Sequence, residues 1–448
     1  MNIASIMSRF DHTIKNCTLN TGTVFDLATG NFLPGKNNSM ILNGGIFASN
    51  AITGRPQTYK SSVSCGYFGR VLHNYNESDG LCYETELSLQ GKNRLMELSG
   101  SPTDESLISR FQFYDKTELS LEDLFEVIKE ISVEKGKRLK ELTRQTPFID
   151  ETGNFIKALV PTIILIDSWS AATSSKEMSL YEDNRVGDSK TNMVAMNDGR
   201  IKSDFARQLP HLCGSKGIYL ISTAHIGDNQ NLANPMAPPT KELPMMRQSD
   251  KLKHVGTQYS FLSVNMLETR KVAPMLDSNK KCLYPTDGCT SDVELQQITS
   301  FITRCKNNVS GASFDHISSQ FQGLQEWLEY YNIIKETKCA LLEGTQKQKL
   351  AITDHEFTRH TIRSVISSDY TFRRALEILG QFCFIRNRWN MPAIKNIGYV
   401  EFAKMINKSS SLKEEILNST GIWSFIETPS ERPYMSILDI VERVSQLK

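Results

Sequence analysis

Between Pro161 and Ser168 the chain reads "PTIILIDS". Ile163, Ile164, Leu165 and Ile166 follow one another with no polar residue between them, so a strand formed here needs apolar cover on both faces. A sheet buried on both sides takes helices on each face, which points to an α/β fold with a mostly parallel central sheet. The surrounding segments agree. Further strands are expected at "AIT" before Gly54, "GLCYETE" at 80–86, "GIYLISTA" at 217–224, "YSFLSVNMLETRK" at 259–271 and "LQQITSFITRCKN" at 295–307. Between them, "SSVSCGYFGRVLHNY" and "SLEDLFEVIKEISVEKG" carry apolar positions at helical spacing.

At 448 residues the chain exceeds what one hydrophobic core usually supports. Residues 1–40 are expected to form a short N-terminal arm, with a helical pattern at Ile3, Ile6, Met7 and Phe10, packed locally or docked on a neighbouring protomer. The α/β core spans 41–313, and 314–448 reads as a mainly helical C-terminal appendage. Two long segments inside the core interrupt the pattern. One, within about 170–200, follows "IILIDS", and the other, within about 226–256, follows "GIYLISTA". Irregular stretches of such length inside a compact domain are commonly functional.

Composition narrows the classes. Lys and Arg total 51 against 50 Asp and Glu, so any nucleic-acid affinity must come from local clusters. Nine cysteines without Cys-x-x-Cys spacing read as idle thiols of a reducing compartment. The N-terminus lacks the apolar stretch of a signal peptide and no run approaches a membrane span, so a cytoplasmic protein with no membrane partner is expected.

Chemistry concentrates in "ITGRPQTYKSS". A strand, a turn and a helix start carrying Lys-Ser form a phosphate cradle when backbone N–H groups turn inward and the Lys reaches the terminal phosphates. Gly54, Arg55, Pro56, Gln57, Thr58, Tyr59, Lys60, Ser61 and Ser62 fit that pattern, except that Tyr59 stands where a second glycine is usual. Its Cβ makes a positive φ costly. The bland alternative is a surface loop with a solvated Lys. Asp167 ends the apolar strand on the carboxyl edge of the sheet, where ligands of open α/β folds bind, and there it could share Mg²⁺ with the Ser61 hydroxyl. Glu84 and Glu86, alternating about Thr85, are expected on one face of a strand end, where one carboxylate could polarise an attacking water.

With these residues in place, "LNGGIFASNAITGRPQTYKSS" resembles the opening of the RecA-type recombinases, and Tyr59 matches the aromatic residue before Lys-Ser in their bacteriophage UvsX-type members. The resemblance runs from about Ile41 to Asn307, and more faintly through "SDYTFRRALEILGQF". It implies a RecA-like P-loop ATPase core using ATP and Mg²⁺, with Lys60 and Glu86 catalytic and His225 of "ISTAHI" as the γ-phosphate sensor. The two long segments become DNA-binding loops, the first with Lys190 and Arg200, the second with Lys241, Arg247, Lys251, Lys253 and His254. Arg304 and Lys306 of "ITRCKN" match a basic pair that reaches a neighbour's ATP; on their own they read equally as an exposed strand edge.

The resulting expectation is an ATP-dependent recombinase that forms a homo-oligomeric filament on single-stranded DNA and pairs it with double-stranded DNA. Single-strand-binding and loading proteins are its expected partners. Two rivals share the features: a hexameric ring helicase with the same core, and a non-catalytic polymerising scaffold.

Overall fold

Six parallel strands form the middle of the sheet. They are β1 (Ser49–Gly54), β2 (Asp79–Glu84), β3 (Phe111–Asp115), β4 (Thr162–Asp167), β5 (Ile218–Asp228) and, after the short β6 (Asp250–Leu252), β7 (Asn265–Pro274). The computed structural model describes residues 14–89, 91–100, 104–183, 191–230, 237–286 and 291–446. Three antiparallel strands, β8 (Leu295–Cys305), β9 (Ser313–Ser319) and β10 (Gly323–Leu324), extend one side, giving the order β10-β9-β8-β7-β1-β5-β4-β2-β3, with β6 paired to the end of β5.

The apolar run has the two-sided cover that its sequence demands. Ile163 and Leu165 of β4 join the core built by Val63, Phe68 and Val71 of helix α1 (Lys60–Asn74). Ile164 and Ile166 join a second core with Leu124 and Ile128 of α2 (Leu121–Lys137) and Phe205 and Leu209 of α3 (Thr191–Cys213). Each such side chain contributes about 1.5–3 kcal/mol by leaving water. The parallel sheet therefore fixes where its strand ends lie, and those ends build the site.

Several elements differ from the sequence expectation. The segment after β4 is largely helical: Ser175–Asp183 forms one helix and α3 another. The reason is visible at Ile201, Phe205, Ala206, Leu209 and Leu212, which recur at helical spacing and pack on the second core. The segment after β5 is shorter than expected, because β5 continues to Asp228 and Asp250–Leu252 pairs back on Ile226–Asp228. Tyr259–Leu262 is a helical turn before β7, not its first residues.

The central sheet also continues through β9 and β10, beyond residue 313. From α4 (Glu326–Thr337) onward helices dominate, α5 (Tyr370–Arg388) among them, with one small three-stranded sheet at Leu342–Glu343, Gln348–Leu350 and Glu356–Phe357. Residues 14–40 pack locally. The helix Val24–Thr29 is buried throughout, capped by the Thr23 hydroxyl, and Phe25 stacks on Tyr67 of α1 at 4.7 Å. The pattern at Ile3, Ile6, Met7 and Phe10 lies outside the described residues. One core thus runs from this segment through α1 into α5. Among the described residues no helix is long and apolar enough to cross a membrane.

If residues 14–43 are part of the body, Phe25→Ala should lower stability by about 3–5 kcal/mol in urea unfolding, through its cavity against Tyr67. A loss below about 1 kcal/mol would mark the segment as a detachable arm.

Candidate functional site

Strand β1 stops at Gly54 and α1 starts at Lys60, leaving a five-residue crook. Gly54 is required by crowding, since a Cβ there would lie 2.4 Å from both the Thr58 and Thr269 hydroxyl oxygens. The Thr58 hydroxyl donates to the Arg55 carbonyl at 2.7 Å, and Thr269 of β7 donates to Thr58 at 2.7 Å. Gln57 and Tyr59 both take the left-handed conformation, with φ of 61° and 62°. The positive φ at Tyr59 that its Cβ penalises, by about 1–2 kcal/mol, is therefore adopted. Two contacts offset it: the ring packs on the core, and the hydroxyl accepts a 3.1 Å hydrogen bond from Gln320.

The crook presents the start of α1. Its first backbone bond runs from Val63 N–H to the Tyr59 carbonyl, so the N–H groups of Lys60, Ser61 and Ser62 precede the helical ladder. Lys60 is only 7% exposed, and its Nζ donates to the Arg55 carbonyl at 3.1 Å. Burial lowers its pKa, opposed by the charges of Glu86 and Asp167. The Arg55 side chain turns elsewhere, pairing with Asp228 and Asp250 at 2.9 Å each, and Pro56 has no N–H to offer.

Facing the crook are the ends of β2 and β4, where Glu84 and Asp167 are register partners. Asp167 is buried. Its Oδ1 accepts from the Thr223 hydroxyl, while Oδ2 has no hydrogen-bond partner among the described residues. Burial raises its pKa, opposed first by Thr223 and then by the neighbouring Ser61 hydroxyl. Glu84 is also buried, and its Oε1 accepts from the Glu86 and Ser88 N–H groups at 3.0 Å each.

Glu84 and Glu86 do not alternate on one strand face, because β2 ends at Glu84. Thr85 is instead locked to β4, donating from N–H to the Asp167 carbonyl at 2.7 Å and from its hydroxyl to the Ser168 carbonyl at 2.8 Å. The chain bends there, and Glu86 turns toward His225 and Lys60. Glu86 Oε1 bonds His225 Nε2 and the Ser168 hydroxyl, both at 2.6 Å. The His225 bond above all, then Ser168 and the charge of Lys60, hold the Glu86 pKa at about 2. Glu84 thus shapes the bend that aims Glu86.

Lys60, Ser61, Glu86, Asp167 and His225 converge at one sheet edge, with His225 opposite Gly54 across the β1–β5 pairing. Arg304 and Lys306 lie elsewhere. The end of β8 pairs with Asn265 and Met266, whereas Thr269, about three residues (roughly 10 Å) further along β7, sits beside Gly54. Arg304 donates to the Phe261 carbonyl at 3.2 Å, and Lys306 is exposed.

Lys241, Arg247, Lys251 and His254 are exposed after β5, Arg200 is exposed on α3, and Lys190 lies outside the described residues. The bases of both segments fasten to the site. Ser170 accepts from the His225 N–H at 2.9 Å and donates to the Lys253 carbonyl at 2.8 Å, and Lys253 N–H donates to the His225 carbonyl at 2.9 Å. Sequence reasoning missed Lys202, which is 1% exposed. It pairs with Asp198 at 2.9 Å and donates to the Ser170 and His254 carbonyls at 3.3 and 3.0 Å. Its only sequence signal is an i,i+4 Asp–Lys pair, which looks like any solvated helix face.

Among the described residues no three His, Cys, Asp or Glu side chains form a metal cage. Ser61 and Asp167 nevertheless fit Mg²⁺, which binds through one or two carboxylates, water and substrate phosphates, and the orphaned Asp167 Oδ2 is a donor for it. No protein-family model matches this chain, and no curated protein matches its sequence.

The depressed Glu86 pKa stabilises the fold above the ordinary value of 4.5, and the contribution is lost as pH falls through about 2. His225→Ala should therefore move the Glu86 carboxyl back toward 4.5 in an NMR pH titration. A value still near 2 would mean that Ser168 and Lys60 suffice to hold it.

Proposed function

We propose that this chain is a DNA-dependent ATPase of RecA type that assembles on single-stranded DNA and promotes homologous pairing and strand exchange with duplex. The observation that carries the reading is the meeting of buried Lys60 and Asp167 with Ser61 at one sheet edge beside the Glu86–His225 pair.

In this reading the N–H groups opening α1 hold the phosphates and Lys60 neutralises their terminal charge. Ser61 and Asp167 would hold a Mg²⁺, which would supply charge neutralisation for the phosphates. Glu86, ionised throughout the neutral range, accepts a hydrogen bond from the attacking water and orients it in line. So low a pKa makes it a weak base, which phosphoryl transfer tolerates because its transition state needs positioning and charge balance more than deprotonation.

His225 links that carboxylate to the DNA segments, since its backbone is bonded to both Ser170 and Lys253. A nucleotide-dependent shift of His225 is thereby communicated to the cations at Lys251, Lys253 and His254. Arg304 and Lys306, on the other edge of the sheet, act on nucleotide only when a second protomer presents them to its neighbour's crook. Hydrolysis then depends on assembly, as strand turnover in a filament requires.

Lys60→Ala and Glu86→Gln should each lower ATP turnover by about 10²-fold or more in the presence of single-stranded DNA. Glu86→Gln should keep nucleotide affinity. Unchanged turnover in Lys60→Ala would remove the ATPase reading. Arg304→Ala protein should regain turnover when mixed with Lys60→Ala protein, because each then supplies what the other lacks; no recovery in any mixture would refute action across the interface.

A further inference from the structure

The strongest feature outside the nucleotide site is a cleft of about 530 Å³ at the far end of α1, between that helix and the C-terminal region. Its wall is a ladder of alternating cations and rings. Arg70 lies 5.3 Å from the Trp327 ring and Arg373 5.0 Å from the same ring. Arg373 is also 5.6 Å from the Tyr370 ring, and Arg432 lies 3.6 Å from it. Each cation is attracted to the negative face of an aromatic ring, which holds long flexible side chains in place before any ligand arrives.

The charges along the ladder are unequally matched. Arg70 pairs with Glu326. Among the described residues Arg373 has no carboxylate partner, and its Nε is buried without a hydrogen bond. Arg432 makes one long bond, 3.4 Å, to the Asn418 side chain. Two guanidinium groups held against one tyrosine therefore keep unused donors in a concavity of ligand size, although Glu326, Glu377 and Glu431 also line it. Burying the Arg373 Nε without a partner is costly, so an oxyanion that reaches it binds with gain.

We propose that this cleft is a phosphate-binding site, separate from the crook at Lys60, in which Arg373 and Arg432, both held against Tyr370, grip a phosphoryl group. A planar carboxylate is satisfied by one guanidinium fork, whereas tetrahedral phosphate oxygens point in several directions and bridge two. Guanidinium contacts to phosphate carry no base sequence, so the site reads phosphate. Phosphate of this kind comes from a nucleic-acid backbone or from a free phosphate compound. The proposal does not rest on the reading of the Gly54–Ser61 crook.

The test uses the full chain and its Arg373→Gln/Arg432→Gln variant, with titration calorimetry for sodium pyrophosphate and fluorescence anisotropy for labelled oligo-dT and for a labelled Asp/Glu peptide. Each chain is also prepared with Lys60→Ala, so that pyrophosphate held at the crook is told apart. We expect the double variant to bind pyrophosphate about tenfold more weakly or worse in the Lys60→Ala background, where the crook no longer contributes, as loss of charge-assisted bonds requires. A parallel loss for oligo-dT identifies nucleic-acid backbone as the source, and loss for pyrophosphate alone identifies a free phosphate compound. Unchanged pyrophosphate affinity, or preferential binding of the acidic peptide, overturns the proposal. If the double variant does not fold, Arg432→Gln alone, which among the described residues loses the Tyr370 and Asn418 side-chain contacts, decides by the same readout.

Discussion

A buried lysine beside the buried carboxylate of Asp167 and the exposed one of Glu86 is the interaction on which the site depends. Lys60 is taken out of water at the start of α1, and Glu84, Glu86 and Asp167 gather around the same strand ends. Desolvation pushes Lys60 toward the neutral form, while Glu86 and Asp167 pull it back. Asp167 Oδ2 and Glu84 Oε2 are buried without hydrogen bonds among the described residues, a costly arrangement that folded proteins tolerate chiefly where function needs it.

The backbone around this charge centre is correspondingly over-determined. Tyr59 holds a left-handed conformation because its ring and hydroxyl are anchored on the far side, at Gln320 between β9 and β10. Arg55 ties the crook to β5 and β6 through Asp228 and Asp250. Through His225, Ser170 and Lys253 the same centre reaches the polar segments that follow β4 and β5, and buried Lys202 clamps those segments together. A charge change at Glu86 therefore has a short, hydrogen-bonded route to exposed cations.

How much of this could be read from the sequence depended on whether a local rule decided the outcome. The unbroken run of β4 forced two-sided cover, and both cores are present. The crook and Asp167 were legible because strand, turn and helix signals coincide within a few residues. The segment 191–213 was not: its polar stretch hid a helix whose apolar seam appears only when α2 is in place to receive it. The bend at Thr85 was equally hidden, since bonds to Asp167 and Ser168 more than eighty positions away create it. Strand β9 escaped notice because its burial comes from pairing with β8 more than from its own composition. Lys202 shows the limit most plainly, as nothing local separates a buried cation from a solvated one.

The central claim is that a nucleotide's phosphates sit against the N–H groups of residues 60–62 beside Lys60. A density map of the protein with magnesium and a non-hydrolysable ATP analogue tests it most directly. The account predicts the terminal phosphate within hydrogen-bond reach of Lys60 Nζ, on the side of the crook that faces Asp167. Nucleotide density at any other place, or an empty crook at saturating analogue, would contradict it.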